Sequence, residues 1–277
     1  MTTGNEEYGD PKFRPTKYKF QISPFQCVPA CFLINLEYML SRGILNKLPP
    51  LKYVRRLLGI DRRLGGVPLV DDGGRLNIHI NFNRTIKTLY TNNKIDVRLE
   101  VLPIYGSFER VRRELIVSLK NLQKGKEAFP MLFLPAPYVW ENITGYPKYL
   151  KEKMLRKYKE IKFEYSIELI RQGKVDPSDL SIFHAVLLFS VKLSSKITSR
   201  ISPQYVIYDP FLKRTVKFNE IDLYNRWHIP QPESYTLPIV RYPFLALKFK
   251  ICKEEVRIRK KNKNAKLIGE LWEGKKV

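Results

Sequence analysis

Three cysteines and three histidines are the chain's whole stock of soft nucleophiles and neutral-pH bases: Cys27, Cys31 and Cys252, with His79, His184 and His228. A cysteine attacks carbon as its thiolate. A helix N-terminus favours that form, because the macrodipole and the free N–H groups of the first turn stabilise negative charge. Cys27 stands at such a point. Residues 28–40 are apolar except for Asn35 and Glu37, the pattern of a helix buried on all sides. Pro29 is tolerated only in a first turn, so the helix is expected to begin at about Cys27 and to be closed by Gly43. Cys31 lies one turn further in, among apolar neighbours and beyond the reach of the dipole. If one thiol reacts, it is Cys27. The plain alternative is that both are small core residues, as most free cysteines are.

A thiol nucleophile needs a base. His184 opens the apolar run HAVLLFSVKL, and Asp209 ends the next one, YVIYD, just before Pro210. Two consecutive antiparallel strands place the start of the first beside the end of the second. His184 and Asp209 are therefore expected to be neighbours at one edge of a sheet, where a carboxylate orients an imidazole and stabilises its charged form. Periodicity and spacing alone do not rank His184 above His79. A strand-capping His and a turn-forming Asp-Pro remain the structural alternative.

The elements that must hold these residues read as follows. Residues 1–19 look like an extended arm. Residues 49–75 are loop-like around a short basic helix near 53–58. Residues 76–92 are ambiguous, since LNIHINF alternates as a strand does while RTIKTLY suits a helix. A strand is expected over 96–104, a helix over 107–123 with Ser107 as N-cap, and a buried strand over 129–134. Exposed helices are expected within 146–173, strands over 183–193, 205–208 and 214–218, a short helix over 219–227, and one or two strands within 236–252. An early buried helix, late strands and helices between them suggest an α+β domain with a mainly antiparallel sheet.

The segment QISPFQCVPACFLINLEY, residues 21–38, resembles the entry motif of the bacteriocin-processing cysteine peptidases. There a Gln precedes the catalytic Cys by about six residues, and Cys-Gly-x-Ala opens a hydrophobic helix that often bears a Tyr. Gln21, Cys27, Ala30 and Tyr38 fit that pattern. FHAVLLFSV from Phe183 and YVIYDPF from Tyr205 resemble the family's second half, in which a His begins one strand and an Asp-Pro ends the next. PMLFL from Pro130 and FNEIDLYNRW from Phe218 resemble the strand before and the short helix after. The resemblance covers roughly residues 18–45 and 126–230.

It implies a papain-like fold with Cys27 as nucleophile, His184 as general base and acid, Asp209 as the orienting residue, and Gln21 as an oxyanion donor beside the Cys27 N–H. It divides the chain into an arm at 1–19, a papain-like domain at 20–252 with insertions at about 49–125 and 136–182, and a basic tail at 253–277. Val28 stands where the family has Gly. The implied activity is cleavage of a peptide or isopeptide bond through an acyl-enzyme, with a peptide or protein as substrate and no cofactor.

The totals admit a globular protein with a sizeable core: 277 residues, 44% hydrophobic, with 16 Tyr and 15 Phe. Lys and Arg number 50 against 27 Asp and Glu, a net charge of +23. So positive a surface attracts polyanions such as nucleic acid or an acidic protein. Basic clusters at 52–63, 148–162 and 248–266 interleave with aromatics, which fits phosphate binding and equally fits solvated helix faces. A papain-like scaffold that has lost catalysis and holds such a partner is the second functional reading.

Three cysteines do not make a disulfide framework, and a reducing, cytoplasmic setting is expected. No secretory signal and no transmembrane run is visible, so the sequons at Asn83 and Asn142 are expected to stay unmodified. Cys27-x3-Cys31 lacks the second close ligand pair of a structural zinc site, and no phosphate-binding loop of the GxxxxGK type occurs.

Overall fold

The computed structural model describes residues 6–17, 27–58, 67, 69, 75–135, 183–193, 202–210, 212–227 and 244–252. Gln21, His228, Asn142, the helical stretch expected within 146–173 and the basic tail at 253–277 lie outside them. Among the described residues no helix is long and apolar enough to cross a membrane.

Helix α1 spans Cys27–Ser41 and is buried from Cys27 through Met39. A stretch with so few polar groups is stable only when surrounded, and it forms the centre of the core. Pro29 sits in the first turn, where its missing N–H breaks no helical bond. Gly43, at φ +66°, reverses the chain at the other end; its N–H meets the Leu40 carbonyl at 3.0 Å and Ile44 N–H meets Met39 at 2.9 Å.

Seven strands form one sheet: β1 Glu6–Gly9, β2 Arg98–Tyr105, β3 Met131–Pro135, β4 Phe183–Leu193, β5 Gln204–Asp209, β6 Arg214–Asn219 and β7 Leu245–Cys252. The order is β2-β7-β3-β4-β5-β6, and every pairing is antiparallel. The molecule is thus α+β with an antiparallel sheet. β4 is its axis. β3 pairs with residues 183–187 and β1 with 190–193, while β5 runs along 187–192. The segment read as an arm therefore contributes a short strand. Gly9 permits this close pairing: at φ +101° its Cα lies so near β4 that a Cβ would meet the Phe189 carbonyl oxygen at 2.1 Å.

The other helices among the described residues are α2 Leu51–Leu57, α3 Ile78–Thr91, α4 Phe108–Gln123 and α5 Glu220–Trp227. Ser107 caps α4, its hydroxyl accepting the Arg110 N–H at 3.4 Å. The strand-like half of 76–92 is helical. Ile78, Phe82, Thr85, Ile86 and Leu89 are buried at helical spacing, while Ile80, the residue that made the pattern alternate, is 40% exposed. Residues 49–125, which have no counterpart in the resemblance, supply α3, β2 and α4 to the same core. Asn83 is part of that framework: its amide pairs with both backbone groups of Val101, at 2.9 and 2.8 Å.

Candidate active site

Cys27 is the first residue of α1 and is 6% exposed. The N–H groups of a helix's first turn have no intrahelical acceptor, so the helix end at Cys27 presents donors that favour negative charge. Val28 is buried, its side chain part of the hydrophobic core.

His184 is the second residue of β4 and Asp209 the last of β5. The register pairs Leu187 with Tyr208, which carries the two strand ends past each other as antiparallel geometry requires. His184 Nε2 lies 2.9 Å from Asp209 Oδ1, and the two residues are 1% and 2% exposed. The Leu212 N–H also reaches Asp209 Oδ1, at 3.2 Å, and the Asp209 carbonyl accepts the Lys213 N–H at 2.9 Å. The turn after β5 thereby fixes the carboxylate.

Burial alone pushes the His184 pKa down. The charge and hydrogen bond of Asp209, joined by the hydrogen bond and charge of Cys27, outweigh it and raise the pKa from 6.5 to about 10. Asp209 holds the imidazole, Cys27 lies near enough to add to the shift, and the charged form is the favoured one. His79, in α3, has no such company; burial lowers its pKa. Periodicity and spacing left the two histidines level; their surroundings differ in this way.

Three polar groups on α1 tie the site together. The Cys31 thiol donates to the Ala185 carbonyl at 3.3 Å, immediately after His184. Its own pKa is raised well above the ordinary value, by burial first and by Cys27 and Asp209 next, so it stays a thiol. Asn35 pairs with both backbone groups of Phe129, at 2.9 and 3.1 Å. Glu37 Oε1 accepts from Thr16 N–H, Thr16 Oγ1 and Lys17 N–H at 2.5, 2.6 and 2.9 Å. It anchors the chain just before the segment that holds Gln21.

Cys27, His184 and Asp209 are therefore brought together, while Gln21 falls outside the described residues. Sequence reasoning did not identify Cys31 as a tie to β4, nor Glu37 as an anchor. A signal for Glu37 existed, since a lone carboxylate in an apolar helix must find donors. Among the described residues no group of three or more His, Cys, Asp or Glu is arranged to hold a metal ion. Compared with known proteins, the chain matches no family model, no curated sequence and no solved structure.

Proposed function

We propose that the chain is a thiol hydrolase of papain-like type, similar to the bacteriocin-processing peptidases, that cleaves a peptide or isopeptide bond. The observation that carries this reading is a buried imidazole held by Asp209, with the Cys27 thiol at a helix N-terminus near enough to raise its pKa further. The Cys27 thiolate attacks the carbonyl carbon. The oxyanion is met by the Cys27 N–H and, as the resemblance implies, by the Gln21 side chain. His184 passes its proton to the leaving amine, whose departure gives a thioester on Cys27. His184, now neutral, takes a proton from water as that water attacks the thioester, and the acid leaves. Asp209 keeps the ring oriented through both halves and offsets its charge. No metal or cofactor is needed for these steps, and a reducing, cytoplasmic setting suits a free thiol.

The test is cleavage of a complex peptide mixture, read by mass spectrometry as new termini. The expected result is a recurring cleavage site with wild type that is absent with Cys27→Ala and His184→Ala. Termini formed equally by all three proteins, or by none, contradict the reading. Val28, in place of the family's Gly, favours the second reading, a non-catalytic module that holds a polyanion. That reading predicts no turnover and salt-sensitive retention on heparin that Cys27→Ala leaves unchanged.

A further inference from the structure

Residues 42–58 carry Arg42, Lys47, Lys52, Arg55 and Arg56 with no Asp or Glu; residues 75–94 carry Arg75, Arg84, Lys87 and Lys94, again with none. The two stretches meet in space. α2 packs against α3, and Asn92, just past the end of α3, donates its amide to the Tyr53 hydroxyl at 2.7 Å. The Arg56 guanidinium carbon lies 5.2 Å from the centre of the Tyr53 ring, and Lys94 Nζ lies 6.0 Å from it. Two cations thus converge on one aromatic ring. Lys52, Arg56, Arg84, Lys87 and Lys94 are exposed, and none has a carboxylate partner among the described residues.

Arg42 pairs with Asp10 at 2.7 Å, Arg112 with Glu220 at 3.0 Å and Lys248 with Glu114 at 3.2 Å. Asp96, two residues past Lys94, is engaged by Asn46, accepting its N–H at 3.2 Å and its amide at 2.5 Å, and not by any of the five exposed cations. Like charges gathered without counter-charges repel one another, and an external polyanion relieves that repulsion on binding.

We propose that the α2–α3 face binds the sugar-phosphate backbone of nucleic acid. The chemistry of the face selects this partner over other polyanions. A membrane-surface helix inserts a row of apolar side chains, and a protein interface closes over an apolar core. Ile80 is the one large exposed hydrophobic on these two helices among the described residues. Beside the cations stand an amide and an aromatic ring, Asn92 donating to the Tyr53 hydroxyl, the uncharged types that contact phosphate and sugar. The proposal does not depend on whether Cys27 turns over a substrate.

The test follows the binding of a labelled oligonucleotide of about 20 nucleotides by fluorescence anisotropy, from about 50 to 200 mM salt. Wild type is compared with Lys52→Ala/Arg56→Ala/Lys94→Ala and with a control triple, Lys124→Ala/Lys126→Ala/Lys217→Ala, whose sites are equally exposed. Affinity is expected to fall steeply with salt in wild type. The α2–α3 variant is expected to lose about one unit of log–log slope per removed phosphate contact, about three in all, while the control keeps its slope. No oligonucleotide binding, or equal slopes in all three proteins, overturns the proposal. So does binding of polyglutamate or of phosphatidylserine vesicles that matches the oligonucleotide and falls equally in the α2–α3 variant, which would give the face to an acidic protein or a membrane.

Discussion

Cys27 and Cys31 place the same thiol in two electrical settings one helical turn apart. Cys27 stands at the open helix end, near enough to His184 to raise its pKa; at Cys31 the thiol is fully buried, held protonated, and spent on the Ala185 carbonyl. That bond ties α1 to the residue after His184, so Cys31 acts on the site as a positioning residue. Its loss should loosen the imidazole relative to the sulfur. Cys31→Ala is expected to slow alkylation of Cys27 at about pH 6 by roughly two- to tenfold, the equivalent of one lost hydrogen bond. Cys31→Ser, which keeps a donor, should recover much of it. If both variants lower Tm yet leave the Cys27 rate untouched, the bond is structural only.

At the scale of elements, α1 is the part that cannot be exchanged. Asn35 satisfies both backbone groups of Phe129 in a fully buried setting, joining α1 to the lead-in of β3. Asn35→Ala strands a buried N–H and a buried carbonyl and is expected to cost about 2–5 kcal/mol, measured by denaturant unfolding. A cost below about 1 kcal/mol would show that the strand re-pairs without it. The same helix explains what the sequence could show. Its start was legible because Pro29 admits one placement. The meeting of His184 and Asp209 was legible because consecutive antiparallel strands leave little freedom. The first half of α3 is ambiguous in sequence because Ile78, Ile80 and Phe82 alternate, and only burial reveals that Ile80 points outward. The pairing of β1 with β4, the placing of β7 between β2 and β3, and the grip of Glu37 on Thr16 depend on partners distant in the chain. Local pattern does not encode such partners.

At the scale of the whole molecule, the buried pair makes stability depend on pH. The His184 pKa in the folded protein is raised above 6.5, to about 10. The stabilisation is therefore fully present below about 6.5 and is lost as pH rises through about 10, because the folded state holds a proton that the unfolded chain gives up. The fall shows above about pH 8.5, where an unfolded cysteine has also given up its proton, and the unfolding free energy should drop by on the order of 1 kcal/mol from there to about pH 10. Asp209→Asn removes the charge that outweighs burial, so that variant should be less stable at neutral pH and much flatter over the same range. An equally steep wild-type and variant profile would assign the dependence to other groups.

The central claim is that His184 carries a positive charge against the Cys27 sulfur, and alkylation reads it without any substrate. Iodoacetamide labelling of each cysteine is followed by mass spectrometry from about pH 5 to 9 in wild type and in His184→Ala, against the ordinary thiol range near about 8.5. The account predicts rapid labelling of Cys27 alone at about pH 5–6, lost in the variant, with Cys31 unlabelled throughout. Labelling of Cys27 that rises only near the ordinary thiol range, at the same rate with and without His184, would contradict it.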